Sequence, residues 1–532
     1  MSTPHDPHLD WKPKHNPWAI ALTVTLATFM EVLDTSIANV ALPHMAGNLS
    51  ASADESTWVL TSYLVSNAMV LPISAWLATR FGRKRFYMTC VALFGVSSFM
   101  CGLAPNLGAL VFFRVLQGIG GGGLAPSEQA ILADTFPPAM RGMAFAVYGM
   151  AVVVAPAIGP TVGGWITDNY SWRWIFYINI PVVILSLFLA GRLVEDPPYL
   201  KAERKKARDV PVDWIGLALI TTAIGCLQIV LDKGQEVDWF ASHWITATLA
   251  ISAVSLVVWI FWEWHHPVPI VDVKLFKRRN FATAMFFTFV LGIVLFSTTV
   301  VIPQFLQSLL GYSAMKAGEA LAGGGLAMLL MMPVAGFLVS RMDPRVMMAG
   351  GFAATSWALW FMNSHLTLGI DFGTAAMLRT FQAAGLAFIF LPSNTLAYLG
   401  IPREKNNQVS GMNSFVRNIG GSVGIALITT FITRQSQKHI TFMTQHAKPG
   451  EPAFDNIVNG LTQTFHSDGI SIQDATQKAY GRIYQMIQGQ ATVLAYTDVI
   501  GVLLLVVACL IPLVFIMRRP PKRPATEQIA MH

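Results

Sequence analysis

The chain has 532 residues, of which 54% are hydrophobic and 12% charged, with a net charge of +7 and a mean hydropathy of +0.51. A soluble domain carries about 25% charged residues, so this composition belongs in a lipid bilayer. Most Lys and Arg sit in short segments between apolar runs, which excludes nucleic-acid binding as the reason for the positive charge.

Residues 1–17 are polar and read as a cytoplasmic tail, since no small-residue cleavage site follows the first apolar run. A membrane span needs about 20 apolar residues. Fourteen such segments are predicted, at 18–42, 56–79, 86–104, 108–133, 142–167, 174–191, 213–231, 243–264, 281–310, 317–340, 346–364, 372–399, 406–433 and 491–517. The first holds Glu31 and Asp34, and a carboxylate at membrane depth costs at least a few kcal/mol unless it has a function or a partner. Asp34 is read as a transport group, with a helix-locking ion pair to a buried Arg as the alternative for either acid.

Arg114 supplies such a cation in the fourth segment. Asp34 lies nine residues before Pro43 and Arg114 eight residues after Asn106, so both sit roughly 12–14 Å below the outer surface. Glu31 lies one turn deeper on a neighbouring face of the same helix, and two acids facing one cavity titrate as a coupled pair. Glu128, further along the fourth segment, reads as a residue near the inner headgroups, with an inner proton relay as the alternative. Gly118-Ile119-Gly120-Gly121-Gly122-Gly123 contains a literal G-x-G-x-x-G, but it lies inside an apolar span with no strand before it. A close-packed helix face is expected there, and a nucleotide loop is not. The chain has no Gly-Lys dipeptide and hence no Walker A loop.

The fifth segment carries Gly159-Pro160-Thr161-Val162-Gly163-Gly164, where small residues permit close helix approach and Pro kinks the chain. Segments 213–231 and 243–264 form a hairpin between two sets of six. In the second set, Arg379 and Arg417 are buried cations with structural or anion-pairing roles, while Gln117, Gln382 and Asn413 are expected to line a cavity. The stretch 436–490 is the one long extramembrane piece, with an amphipathic helix expected around Ile472–Ile487. It serves as a solvated cover or as a docking surface for a periplasmic partner. The four cysteines lie in apolar runs and read as packing residues, and His5, His8, His15, His265 and His266 as solvated side chains without a metal.

With the N-terminus inside, 25 of the 36 Lys and Arg fall on the inner side, eight on the outer side and three within spans. Both termini are therefore expected in the cytoplasm. The chain also repeats itself: Ala75–Arg80 pairs with Gly336–Arg341, and Arg114–Gln117 with Arg379–Gln382, at offsets of 261 and 265. Two related halves with a site between them are the architecture of alternating-access transporters.

Several of these segments resemble the major facilitator superfamily, and within it the fourteen-span drug:proton antiporters of the EmrB/QacA type. The first-span motif is Leu33-Asp34-Thr35-Ser36-Ile37 through Pro43, and the loop motif is Leu77-Ala78-Thr79-Arg80-Phe81-Gly82-Arg83-Lys84. Arg114–Gly118 resembles the fourth-span motif, Gly159–Gly164 the antiporter motif, and Leu231–Phe240 with Pro269–Phe276 the EmrB branch. Departures stand at Ala75 and Thr79, where the family has Gly and Asp, and at Ala146 and Ala155, where it has Gly. Losing the Asp puts a charge-relay gate built on Arg80, Gly82, Arg83 and Lys84 in question.

The resemblance implies an all-α integral membrane protein of the major facilitator fold: two six-helix bundles (18–195 and 281–517), a basic loop at 196–212, an inserted hairpin at 213–280 and a tail at 518–532. It implies a proton-coupled exporter of amphipathic drug-like molecules in a bacterial inner membrane, not an enzyme, driven by the proton gradient without a cofactor. Asp34 would carry the proton, helped by Glu31 and reset by Arg114. Gly159, Pro160, Gly163 and Gly164 would seal the halves against leak. The partners implied are a small-molecule substrate, protons, membrane lipid and a periplasmic adaptor of a tripartite pump meeting 436–490, with no nucleic acid. Export of one metabolite or lipid, or a facilitator whose acids are structural, are the alternatives.

Overall fold

The computed structural model describes residues 11–137, 140–208 and 210–517. His5, His8 and the tail 518–532 lie outside them. The described chain is helical: α1 (Pro17–Asn48), α2 (Ala53–Ser56), α3 (Trp58–Phe81), α4 (Arg83–Leu103), α5 (Leu107–Gly121), α6 (Leu124–Thr135), α7 (Arg141–Asn169), α8 (Trp174–Tyr177) and α9 (Asn179–Leu193) form the first half. A connecting α10 (Pro198–Arg208) leads to the hairpin α11 (Trp214–Lys233) and α12 (His243–His265). The second half contains α13 (Arg279–Ser308), α14 (Ala314–Arg341), α15 (Pro344–His365), α16 (Phe372–Ala397), α17 (Asn406–His446), α18 (Pro452–Ser467) and α19 (Ile472–Leu513).

All fourteen predicted segments are helical, and thirteen helices among the described residues are long and apolar enough to cross a membrane. The fourteenth, α15, falls short in apolarity because Arg345, Asn363, Ser364 and His365 weight its ends. It packs along α16 and α19, both of span length, which is compatible with fourteen crossings.

The repeat in the sequence is a repeat in space. In the first half α1 packs on α7, and α5 on α3 and α4. In the second α13 packs on α17, and α16 on α14 and α15. The halves meet where α7 runs along α14 and where α17 runs along α3 and α6. The inserted hairpin lies outside this core: α11 leans on α3, with Gly225 against the Met69 thioether, and the Trp239 indole donates 2.9 Å to Thr430 on α17.

The glycine run explains how the fourth segment fits. A Cβ on Gly118 would stand 2.4 Å from the Tyr63 carbonyl oxygen, and one on Gly120 2.7 Å from the Phe94 nitrogen. The backbone of α5 thus touches α3 and α4 directly, as a small-residue interface permits. Gly122 and Gly123 then interrupt the helix between α5 and α6. Glu128, beyond this break, is wholly buried within the bundle.

The stretch 436–490 is mostly helix. Its amphipathic segment begins at Ile472 as expected, but continues without a break into the last span. α17 is 41 residues long, roughly 62 Å, twice the ~30 Å hydrocarbon core, so it projects well beyond the bilayer with α18 packed on α19 beside it. Cys90 and Cys101 are buried as packing residues, Cys226 is half-buried, and Cys509 is exposed on the outer face of α19, where lipid takes the place of a packing partner.

Replacing Gly118 by Val is expected to destabilise the bundle by roughly 1–3 kcal/mol through overpacking. Thermal unfolding in detergent should show the loss, whereas Gly47→Ala, with nothing within 4 Å of the added atom, should leave the midpoint unchanged.

Candidate functional site

Asp34 and Arg114 meet at the depth they share. Arg114 Nη1 lies 2.7 Å from Asp34 Oδ2, and the two side chains are 0% and 1% exposed. The other carboxylate oxygen, Oδ1, accepts from Gln117 Nε2 at 3.1 Å and from Asn179 Nδ2 at 2.7 Å. Arg114 also donates through Nε to the Val59 carbonyl at 3.0 Å and through Nη1 to Gln117 Oε1 at 2.8 Å. Its guanidinium stands 4.3 Å from the centre of the Tyr63 ring, a cation–π arrangement. Gln117, expected to line a cavity, is thus a partner of both charges, one helical turn from Arg114 on the same face. Asn179 was not foreseen; its signal is a lone amide inside the apolar run of the sixth segment, held from behind by a 3.0 Å bond to Ser98 Oγ.

Glu31 does not touch Asp34. Its Oε1 accepts from Asn67 Nδ2 at 2.9 Å and from the Tyr63 hydroxyl at 3.3 Å. Tyr63 therefore joins the two acids, with its ring under Arg114 and its hydroxyl on Glu31. Glu31 is half-buried, whereas Asp34 is sealed.

The second half copies the arginine cluster and leaves out the acid. Arg379 Nη1 donates to Gln382 Oε1 at 2.5 Å, as Arg114 does to Gln117. Thr298 and Thr299 stand where Asp34 would be expected from the repeat offset, accepting from Arg379 at 3.0 and 2.8 Å. Gln382 Nε2 also donates 2.6 Å to Thr298. In the sequence two threonines in an apolar span carry no charge signal, so this substitution is visible only in three dimensions.

Between the halves lies a polar network. Asn413 on α17 donates to Gln129 Oε1 on α6 at 2.8 Å and to Asn394 Oδ1 at 2.5 Å. Gln129 donates to Ser414 Oγ at 2.7 Å and to the Tyr148 hydroxyl at 3.0 Å, and Arg417 Nη2 donates to that same hydroxyl. Gln117, Gln382 and Asn413 are all 0% exposed in this state, each held by protein partners.

At the end of the bundle bearing the basic loop, Gly82 takes a positive φ of 93° that lets α3 turn into α4. Arg83 is buried there, 2.6 Å from Asp134, and reaches across to Asn407 Oδ1 at 2.7 Å. Asn406 donates 2.6 Å to Asp134, and Asn407 donates 3.2 Å to Thr79. Asp134 on α6 thus supplies a carboxylate although the loop motif lacks its Asp, and Thr79, standing in that position, accepts a bond from the other half. Arg80 holds the carbonyls of Ala207 and Val210, and Lys84 that of Gly191.

The antiporter segment wedges α7 between α1 and α14. A Cβ on Gly159 would meet Ser36 Oγ at 2.3 Å, and one on Gly163 would meet Ile37 Cγ2 at 3.1 Å. Pro160 has no N–H to give the Pro156 carbonyl, and Ser36 Oγ donates to that carbonyl at 3.3 Å instead. Across the seam, Gly318 of α14 faces Thr161 and Pro160, while Gly164 has open space around it.

The fold and this cluster agree with what the chain resembles. Residues 24–425 match the family model of the Major Facilitator Superfamily. The chain is 34% identical over 490 residues to the multidrug export protein EmrB of Escherichia coli K12, covering 92% of this chain and 93% of that one. The chain belongs to the major facilitator superfamily, in its EmrB-type branch. It is also 36% identical over 504 residues to the fatty acid resistance protein FarB of Neisseria gonorrhoeae, covering 94% and 96%. The solved proton:xylose symporter XylE has the same fold, with a TM-score of 0.59 at 14% identity over 97% of this chain and 98% of that one. As a member of the major facilitator superfamily, the chain is a multi-pass membrane transporter and not an enzyme. Among the described residues no His, Cys, Asp or Glu cluster gathers to hold a metal.

Removing Asp34 as Asp34→Ala leaves Arg114 charged and unpaired, and should lower unfolding stability in detergent by about 3–5 kcal/mol. Asn179→Ala, which removes one donor from a buried carboxylate, should cost about 1–3 kcal/mol in the same measurement.

Proposed function

We propose that this chain is a proton-coupled multidrug efflux transporter that moves amphipathic small molecules out across the bacterial cytoplasmic membrane by alternating access. The observation that carries this reading is the buried Asp34 carboxylate, held at membrane depth by Arg114, Gln117 and Asn179. The names of EmrB and FarB, a multidrug export protein and a fatty acid resistance protein, support export of amphipathic molecules. A colistin resistance protein from Acinetobacter baumannii, 29% identical over 93% of this chain, points the same way.

Asp34 is the proton carrier in this scheme. Ionised, it is satisfied by the guanidinium and two amides. Protonated, it gives up its charge and frees Arg114, which then holds Gln117, the Val59 carbonyl and the Tyr63 ring alone. Protonation thus repartners α1, α5 and α9 together, a charge change at one atom biasing a packed element. Glu31 assists from the more open side of α1 through Tyr63. Gln117, Gln382, Asn413, Arg379 and Arg417 supply the polar contacts of a substrate path when the halves part.

The state described is closed at the end bearing Arg83, where Asp134, Asn406 and Asn407 tie the two halves together. Asn39 on α1 and Gln304 on α13, near the opposite end, are exposed polar groups within their helices, as residues facing a water-filled cleft are. With both termini in the cytoplasm, this is an outward-facing arrangement. Gly159, Pro160, Gly163 and Gly164 keep α7 tight between α1 and α14 while the ends open and close. The energy comes from the proton gradient, without a cofactor. The partners are protons, an amphipathic substrate, membrane lipid, and a periplasmic adaptor on the helical projection of 436–490.

Because Asp34 is fully satisfied, a facilitator with purely structural acids is the reading to beat. Proton release from purified protein on adding lipophilic cations and weak acids separates the two. Wild type should release protons on substrate addition, and the neutral double variant Asp34→Asn/Arg114→Gln, which leaves no charge buried, should not. Uphill export persisting in that variant would overturn the assignment. In the seal, Pro160→Ala returns an N–H to the Pro156 carbonyl and removes the need for Ser36; liposomes carrying it should dissipate a pH gradient faster than wild type in the absence of substrate.

A further inference from the structure

We propose that Glu128 is a second proton-binding carboxyl of the transport cycle, working against Arg417 across the interface between the two halves. The inference rests on the proposed proton-coupled export. It assigns the proton to a site that the Asp34 cluster neither contains nor touches.

Glu128 is 0% exposed on α6, four residues past Leu124, where that helix begins. Its Oε1 accepts from Thr25 Oγ1 at 2.5 Å, while Oε2 is buried without a partner. The Thr28 hydroxyl, one turn along α1, is buried beside the same carboxyl and makes no other contact that would hold it. Asp34 has a cation and two amides; Glu128 has only the hydroxyls of Thr25 and Thr28 beside it. An ionised carboxylate with a bare oxygen in a membrane interior costs several kcal/mol, and a proton on Oε2 removes that cost. In this state Glu128 is the acid whose surroundings suit the neutral form.

The other half brings the complementary defect. Arg417 on α17 is 6% exposed, and its Nη1 is buried without a partner. Its guanidinium lies 5.3 Å from the Tyr148 ring centre and 5.7 Å from that of Phe390. Its charge acts on both Glu128 and Glu31, yet it forms no ion pair with either among the described residues. Gln129, the next residue, faces α17 and bonds Ser414, Asn413 and the Tyr148 hydroxyl to which Arg417 also donates, while Glu128 bonds Thr25 of α1 and stands within reach of the charge of Arg417.

The groups around Glu128 are few. α1 brings Glu31, α7 brings Tyr148, and α4 brings Tyr87, whose hydroxyl is held 3.3 Å from the Val24 carbonyl and 3.4 Å from Ser186 Oγ. Arg417 is a cation acting on it from the opposite half, joined to α6 through the Tyr148 hydroxyl that Gln129 also bonds. When the end bearing Arg83 opens to water, the proton leaves Oε2 for that water. The carboxylate formed then attracts Arg417, drawing α6 and α17 into a new pairing. Reloading from the outer cleft neutralises Glu128 and restores the arrangement seen here. No bond other than O–H is made or broken.

The test uses the full chain, purified and reconstituted. Infrared difference spectra across a pH titration should contain a protonated-carboxyl carbonyl band that vanishes in Glu128→Gln, shifts in Glu128→Asp, and persists in Asp34→Asn/Arg114→Gln. Gln is nearly isosteric and still accepts from Thr25, so unfolding midpoints should match wild type. Export of tetraphenylphosphonium driven by an imposed pH gradient should be lost in Glu128→Gln and Arg417→Gln, and kept in Glu128→Asp and Arg417→Lys. An unchanged band in Glu128→Gln, or full gradient-driven export by it, overturns the proposal and leaves the Asp34 reading standing. Loss of the band in the Asp34 variant instead assigns that proton to Asp34 and likewise overturns it.

Discussion

Inside a low-dielectric bundle, Arg114 and Asp34 can remain charged because they pair with each other and because Gln117, Asn179 and the Val59 carbonyl add hydrogen bonds to them, with the Tyr63 ring against the guanidinium. Breaking such a pair from one side is far more costly than never having built it. Four helices of the first half, α1, α3, α5 and α9, are therefore tied to one carboxylate. Their packing follows from it: the glycines of α5 bring the backbone close enough to α3 for Arg114 to reach Val59 and lie over Tyr63. A change of charge at Asp34 is felt at once by every helix that the pair holds.

The second half shows what the same framework becomes without the acid. Arg379 and Gln382 repeat the geometry of Arg114 and Gln117, but hydroxyls of Thr298 and Thr299 take the carboxylate's place. A hydroxyl carries no charge, so among the described residues Arg379 is left without a counter-ion where Arg114 has one. The two halves thus share one framework, with a carboxylate in the first and hydroxyls in the second. The two halves meet along the seams α7–α14 and α3–α17.

Much of this was legible in the sequence. All fourteen segments are helices, and equal depth in two spans was enough to pair Asp34 with Arg114, because rise per residue in a helix is fixed. What escaped depended on neighbours from distant segments. Asn179 is one amide in an apolar run, and only its partner makes it meaningful. Asp134 answers for the missing Asp of the loop motif from a different helix. The burial of Glu128 depends on Thr25 and the other side chains that α1 sets against it, which its own segment does not announce. The stretch 436–490 looked like a loop because it is polar, yet residues 436–446 contain no Gly or Pro to stop α17.

α17 has one more mechanical property. It carries Asn406, Asn407, Asn413 and Arg417 in its inner half and continues as one rod to His446, outside the bilayer. A rod pivoting within the membrane moves most at its far tip. Small tilts at Arg417 are thereby magnified at the α17–α18–α19 projection, which becomes a lever arm. Whatever sits on that tip is in direct mechanical contact with the buried network, without any signal passing through a loop.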